Sequence, residues 1–105
     1  MKRYGVKEFK SQMEDKNSVL IDIRTPGEIR YGKIKKDCLV LDFYGPNFVN
    51  EILKLDKSKK YLIYCAYGNR SFSLLNFMTA QGFSDIADLE GGIADWMDSG
   101  EKIEK

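Results

Sequence analysis

A cysteine, a glycine and an arginine fall close together in the run Tyr61-Leu62-Ile63-Tyr64-Cys65-Ala66-Tyr67-Gly68-Asn69-Arg70-Ser71. The apolar residues Tyr61 to Tyr64 read as a short strand, bounded by charge before it and glycine after it. Cys65 falls where that strand ends, and from about Asn69 or Arg70 the pattern turns helical. A tight loop between strand and helix turns backbone N–H groups inward, and the helix N-terminus adds partial positive charge. Such surroundings favour a thiolate over a thiol. Taken alone, Cys65 reads as a small hydrophobe closing a strand; the loop that follows turns the reading toward chemistry.

The N–H groups of Ala66, Tyr67, Gly68, Asn69 and Arg70 are the candidate donors to an anion held above Cys65, as in an oxyanion hole. Gly68 suits a position that needs positive φ or close backbone approach, and Asn69 tolerates the left-handed region as well. Arg70 offers a fixed charge for an anionic substrate. A cation at a helix start opposes the dipole, so its presence there favours function over surface decoration.

The chain contains no histidine. That removes Cys–His and Ser–His catalysis and most zinc and haem ligation. A nucleophilic Cys65 must then be activated by backbone dipoles or arginine, with no metal and no cofactor. Asp22, at a strand end, is read as a structural acceptor for neighbouring loop backbone. Arg24 is read as structural too, pairing with Glu28 or Asp22, with pocket lining as the other option. Cys38 lies in an apolar run and is read as inert core. Tyr67 projects from the loop, either shaping a pocket entrance or simply exposed. Phe72 and Phe77 lie off the Leu74-Leu75-Met78 stripe; they are read as covered by neighbouring elements, the other reading being an apolar surface for a protein acceptor.

The elements that must position these residues alternate. Arg3 to Gly5 suggests an edge strand, and Val6, Phe9 and Met13 recur at helical spacing. Val19 to Ile23 is a continuous apolar run with one carboxylate, as in a strand buried on both faces. Thr25-Pro26-Gly27-Glu28 opens a short helix with a capping box and a proline at its first position, ending near Gly32. Cys38 to Leu41 is strand-like. Gly45-Pro46 opens a helix with Phe48, Val49, Ile52, Leu53 and Leu55 on its apolar side, and the charged turn 56–60 follows. After the Cys65 loop a helix runs to about Gln81, stopped by Gly82. Ile86 to Leu89 is a last strand, Gly91-Gly92 leads into a helix with Ile93, Trp96 and Met97, and Gly100 to Lys105 is a polar tail expected to fray. The alternation predicts an α/β fold whose parallel sheet is covered on both faces. In such sheets ligands bind beyond the carboxyl ends of the strands, where Asp22 to Arg24 and the Cys65 loop both fall.

A length of 105 residues fits a single domain, 1–105. A net charge of +1 gives no electrostatic case for nucleic acid or an anionic membrane. No apolar run reaches membrane-span length, and the start of the chain lacks the apolar core of a signal peptide. Two cysteines are too few for a disulfide framework. These features predict a cytoplasmic monomer.

The residues resemble a single-domain rhodanese, a sulfurtransferase module. The resemblance runs from about Tyr4 to Gly100. It is carried by Val19-Leu20-Ile21-Asp22-Ile23-Arg24-Thr25-Pro26 with Glu28, by Tyr64-Cys65 with Gly68-Asn69-Arg70-Ser71, by Gly82-Phe83, and by Leu89-Glu90-Gly91-Gly92-Ile93 with Trp96. It implies a rhodanese-like, five-stranded parallel sheet with helices on both faces, and a persulfide carried on Cys65. The implied substrates are a small anionic sulfur donor, thiosulfate or a persulfide, and a thiol or cyanide acceptor, with a protein sulfur acceptor as an option. A carrier or docking module with little thiosulfate activity is the alternative, and a non-catalytic interaction domain is a third. Related cysteine phosphatases place five residues between cysteine and arginine; here there are four, and Ser71 stands at the later position. A phosphatase is therefore a minor reading. Lys33 departs from the family, which often has histidine there.

Overall fold

A computed structural model describes residues 1–105. Five strands, β1 (Lys2–Tyr4), β2 (Ser18–Asp22), β3 (Leu39–Val40), β4 (Lys60–Tyr64) and β5 (Asp85–Leu89), alternate with helices α1 (Val6–Gln12), α2 (Pro26–Ile29), α3 (Phe48–Leu53), α4 (Asn69–Ala80) and α5 (Gly92–Asp98). The sheet order is β1-β5-β4-β2-β3, and every pair is parallel. No helix is long and apolar enough to cross a membrane.

Strand β4 lies at the centre and shows why its sequence is continuously apolar. Tyr61 and Ile63 point to one face, where they pack with Ile52, Leu74, Leu75 and Met78 from α3 and α4. Leu62 and Tyr64 point to the other, where Phe9, Ile93 and Trp96 from α1 and α5 cover them. Alternate side chains of one strand thus feed two cores, so no position is free for a solvated residue.

The local signals around α2 hold. Glu28 N–H donates to Thr25 Oγ1 at 3.3 Å, and Thr25 N–H donates back to Glu28 Oε1 at 3.0 Å, a complete capping box. Gly82, with φ +96°, follows the last turn of α4 as expected.

Four expectations need correction. The strand-like run from Cys38 to Leu41 contributes only the two residues of β3, an edge strand paired with β2 alone. Cys38 lies just before it and is half-buried, outside both apolar cores, so it is not core. Only Phe48 and Ile52 of α3 are buried; Val49 and Leu53 are exposed, because a six-residue helix lays a single stripe on the sheet. The tail does not fray. Lys33 and Glu104 exchange backbone hydrogen bonds of 2.8 and 2.6 Å, Trp96 Nε1 donates to the Lys102 carbonyl at 2.9 Å, and Ile103 packs on the α1/α5 core. Its polar composition concealed these partners, which come from distant parts of the chain.

Candidate active site

The carboxyl end of β4 leads into Cys65, the loop Ala66-Tyr67-Gly68 and then α4. Cys65 continues the inward face of Ile63 and packs in the α3/α4 core, with only 1% of its surface exposed. Its Sγ accepts hydrogen bonds from Gly68 N–H at 3.1 Å and Ser71 N–H at 3.4 Å. These are two of the four N–H groups that the start of any α-helix leaves without an internal partner. Here they point at sulfur, with the partial positive end of a 12-residue helix behind them.

Two glycines allow the loop to close. Gly68 has φ +100°, and a Cβ there would lie 1.9 Å from the Glu90 carbonyl oxygen. Gly92 has φ +68°, and a Cβ there would lie 2.3 Å from the Ala66 carbonyl oxygen. Both positions combine left-handed backbone with contact too close for any side chain. The start of α5 completes the clasp: Ile93 N–H donates to the Cys65 carbonyl and Ala94 N–H to the Ala66 carbonyl, at 2.9 and 3.1 Å. Of the Gly91-Gly92 segment it is thus Gly92 that serves the Cys65 loop, while Gly91 faces the Asp95 side chain of its own helix.

The expected ring of donors is narrower at the thiol than the sequence suggested. Of residues 66–70 only Gly68 sends its N–H to Sγ; Ala66, Tyr67, Asn69 and Arg70 do not. Asn69 is the first residue of α4 and does not use the left-handed region, because Gly68 already supplies the turn. Tyr67 is 74% exposed.

Arg70 also departs from expectation. Its guanidinium makes a two-pronged pair with Glu28, at 2.9 and 2.8 Å, and lies 5.6 Å from the Tyr44 ring centroid. The Glu28 bonds push the Arg70 pKa up, and Arg70, ahead of the Thr25 N–H, holds the Glu28 carboxyl down at about 2. The charge expected to await a substrate is therefore already compensated.

Two buried acids flank the strand ends, one on each face of the sheet. Asp22 faces the α1/α5 side beside Tyr64, its register partner in β4. It accepts Arg24 N–H at 2.9 Å, the Arg24 guanidinium at 2.8–3.2 Å and the Tyr64 hydroxyl at 2.6 Å. Its principal partners are thus side chains rather than loop backbone, and Arg24 takes the Asp22 pairing. Burial first, and then Asp22, push the Tyr64 pKa up.

Asp88 faces the opposite side, toward α4. It accepts the Arg3 guanidinium at 3.0 and 2.9 Å and the Ser71 hydroxyl at 2.5 Å. Ser71 Oγ in turn stands 3.6 Å from Cys65 Sγ. The sequence singled out neither Arg3 nor Asp88, and Ser71 entered only as the last residue of the Gly68–Ser71 motif. The carboxylate in the otherwise apolar Ile86-Ala87-Asp88-Leu89 run was the available signal, since a buried acid requires a partner.

Phe77 packs against the α3/α4 core, as expected, while Phe72 stays partly exposed with the Arg3 guanidinium 4.5 Å from its ring centroid. Lys33 is tied to Glu104 through backbone. A cleft of about 460 Å³ opens beside the loop, lined by Arg24, Glu28, Tyr31, Ala66, Tyr67 and Met97 among others.

A family model for the rhodanese-like domain matches residues 5–99. The chain belongs to the rhodanese-like domain family. This rhodanese-like domain is 38% identical over 79 residues to a protein named sulfurtransferase from Allochromatium vinosum, covering 74% of this chain and 70% of that one. It is 32% identical over 90 residues to a tRNA uridine(34) hydroxylase from Staphylococcus carnosus, covering 83% of this chain but only 28% of the hydroxylase. A rhodanese-like domain protein from Staphylococcus aureus superposes over 100% of both chains with a TM-score of 0.80 and 28% identity. A rhodanese-related protein from Thermoplasma volcanium, at 24% identity and a TM-score of 0.83 over 98% of this chain and 97% of that one, shares the fold.

Proposed function

We propose that this rhodanese-like domain is a sulfurtransferase that carries a sulfane sulfur on Cys65 as a persulfide. The observation that carries the reading is the pair of helix-start N–H groups, from Gly68 and Ser71, aimed at Cys65 Sγ. The thiolate attacks the outer sulfur of thiosulfate or of a persulfide. With thiosulfate the S–S bond to the sulfonate breaks, sulfite leaves with the bonding pair, and Cys65 keeps an S–S⁻ group. A thiol or cyanide then takes the outer sulfur and restores the thiolate, so two half-reactions share one cysteine. No metal or cofactor enters either step. The loop amides left without a bond to Sγ are the candidate donors to the outer, anionic sulfur.

A carrier that receives persulfide from a protein and barely uses thiosulfate is the second reading, favoured by the near-complete burial of the thiol. The phosphatase reading weakens further, since the one arginine of the loop is occupied by Glu28. Mass spectrometry after donor treatment tests these readings. A gain of one sulfur on Cys65 from thiosulfate or a small persulfide, discharged by cyanide or a thiol and absent in Cys65→Ser, is the expected result. Loading from a protein donor alone supports the carrier. No loading from any donor overturns the proposal.

A further inference from the structure

Strand β1 sends one side chain into the Cys65 loop. Arg3 Nε and Nη2 donate to the two oxygens of Asp88 at 3.0 and 2.9 Å, and Nη2 donates as well to the Gly68 carbonyl at 2.9 Å. A guanidinium Nη carries two protons, so one serves each acceptor. The Gly68 carbonyl belongs to the peptide that joins Gly68 to Asn69, the first residue of α4. The two N–H groups that meet Cys65 Sγ lie on either side of that peptide, Gly68 N–H before it and Ser71 N–H after it. Glycine is the residue least able to hold its own φ and ψ. The φ of +100° at Gly68 must therefore be held from outside if both donors are to converge on one sulfur. Phe72 N–H donates to the same carbonyl at 3.1 Å, but it belongs to the helix whose placement is at issue. Arg3 stands on another element and reaches both sides of the hinge. It holds the Gly68 carbonyl directly, and it holds Asp88, which accepts the Ser71 hydroxyl at 2.5 Å.

We infer that Arg3 is a positioning residue for the Cys65 site: by bridging Asp88 and the Gly68 carbonyl, it aims the Gly68 and Ser71 N–H groups at sulfur. The inference rests on the sulfurtransferase reading for what the aimed sulfur then does. It does not rest on the charge of Arg3, which Asp88 compensates. Hydrogen bonds to the ionised form of a group favour that form, and they weaken steeply as the donor turns away. A slack loop therefore leaves less of the attacking thiolate at a given pH, with the same cysteine in the same fold.

Arg3→Met alone would leave a buried carboxylate without its cation. Arg3→Met combined with Asp88→Asn removes the pair as a neutral unit, and Arg3→Lys keeps the charge but replaces the rigid fork by a rotatable point. The thiolate fraction of Cys65 is followed against pH by ultraviolet absorbance, as the difference from the same protein carrying Cys65→Ser. The double variant should reach half-ionisation about one pH unit above the wild-type protein, as the loss of one hydrogen bond to a charged group implies. Arg3→Lys should shift the same way by less. At pH values below half-ionisation, sulfur loading from cysteine persulfide should fall about tenfold in the double variant. Where the thiolate is complete in both proteins, the rates should agree within about twofold. A double variant that is less stable to urea yet titrates with the wild-type protein makes Arg3 a structural residue only and overturns the inference. If the double variant does not fold, Arg3→Lys decides by the same titration. If the wild-type protein takes sulfur from no donor, the sulfurtransferase reading falls, and the titration still decides whether Arg3 aims the amides.

Discussion

The Ser71 hydroxyl donates to Asp88 Oδ2 at 2.5 Å. A serine hydroxyl has one proton. Committed to Asp88, it cannot also be given to Cys65 Sγ, 3.6 Å away, so the Ser71 group that serves the sulfur is its backbone N–H. The side chain ties the first turn of α4 to β5, and through Asp88 to Arg3 on β1. This tie holds the donor amide in place.

The first prediction concerns that tie. Ser71→Ala keeps the N–H that faces Sγ but removes one of the partners of a fully buried carboxylate. It is expected to lower stability by about 1–3 kcal/mol in urea unfolding while still loading sulfur on Cys65. Loss of all loading in a folded Ser71→Ala protein would assign the hydroxyl a direct part in the chemistry.

Gly68→Ala should damage the site itself. The added Cβ meets the Glu90 carbonyl oxygen at 1.9 Å, and φ +100° is foreign to alanine. The left-handed backbone alone costs about 1–3 kcal/mol, and the overlap moves the donor N–H away from sulfur. Slower Cys65 persulfidation is expected at temperatures where circular dichroism shows the variant folded. Wild-type rates in that variant would show that the amide is dispensable.

The Glu28–Arg70 pair makes stability depend on acidity. Arg70 holds the Glu28 carboxyl at about 2, below its ordinary value of 4.5. A depressed carboxyl pKa means the unfolded chain binds the proton first, so the contribution is full above about 4.5 and drains away as pH falls through about 2. Urea midpoints of the wild-type protein and Glu28→Gln should therefore differ by a constant amount near neutrality and converge between those limits. Solvent exposure of the pair keeps the difference small. A gap that stays unchanged down to pH 2 would remove Glu28 as its source.

Tyr64→Phe separates scaffold from chemistry. The Tyr64 hydroxyl donates to Asp22 and accepts Ile34 N–H at 3.0 Å, all out of reach of water. Its removal leaves a buried N–H without a partner, at a cost of about 1–3 kcal/mol. Since this network lies on the face of the sheet away from Cys65, the expected result is a lower urea midpoint with persulfidation unchanged. A matching fall in persulfidation in the folded variant would couple the two faces.

The chain order of the elements, the parallel sheet, the capping box at Thr25 and the loop after Cys65 were all legible in the residues. Each rests on short-range physics: apolar runs that must be buried, turn residues that suit particular backbone angles, and a strand followed at once by a helix. Tertiary structure decided what those local rules cannot reach. Arg70 carries a free charge in the sequence and a compensated one in the fold, because Glu28 lies 42 residues away along the chain and only packing brings it within 2.8 Å. Ser71, Asp88 and Arg3 form one chain of contacts because parallel pairing sets Arg3 beside Asp88 and Ile63 beside Asp88. The C-terminal tail is ordered by partners at Lys33 and Trp96 that its own composition cannot announce. Local geometry was written in neighbouring residues; the electrostatics of the site depended on contacts between distant ones.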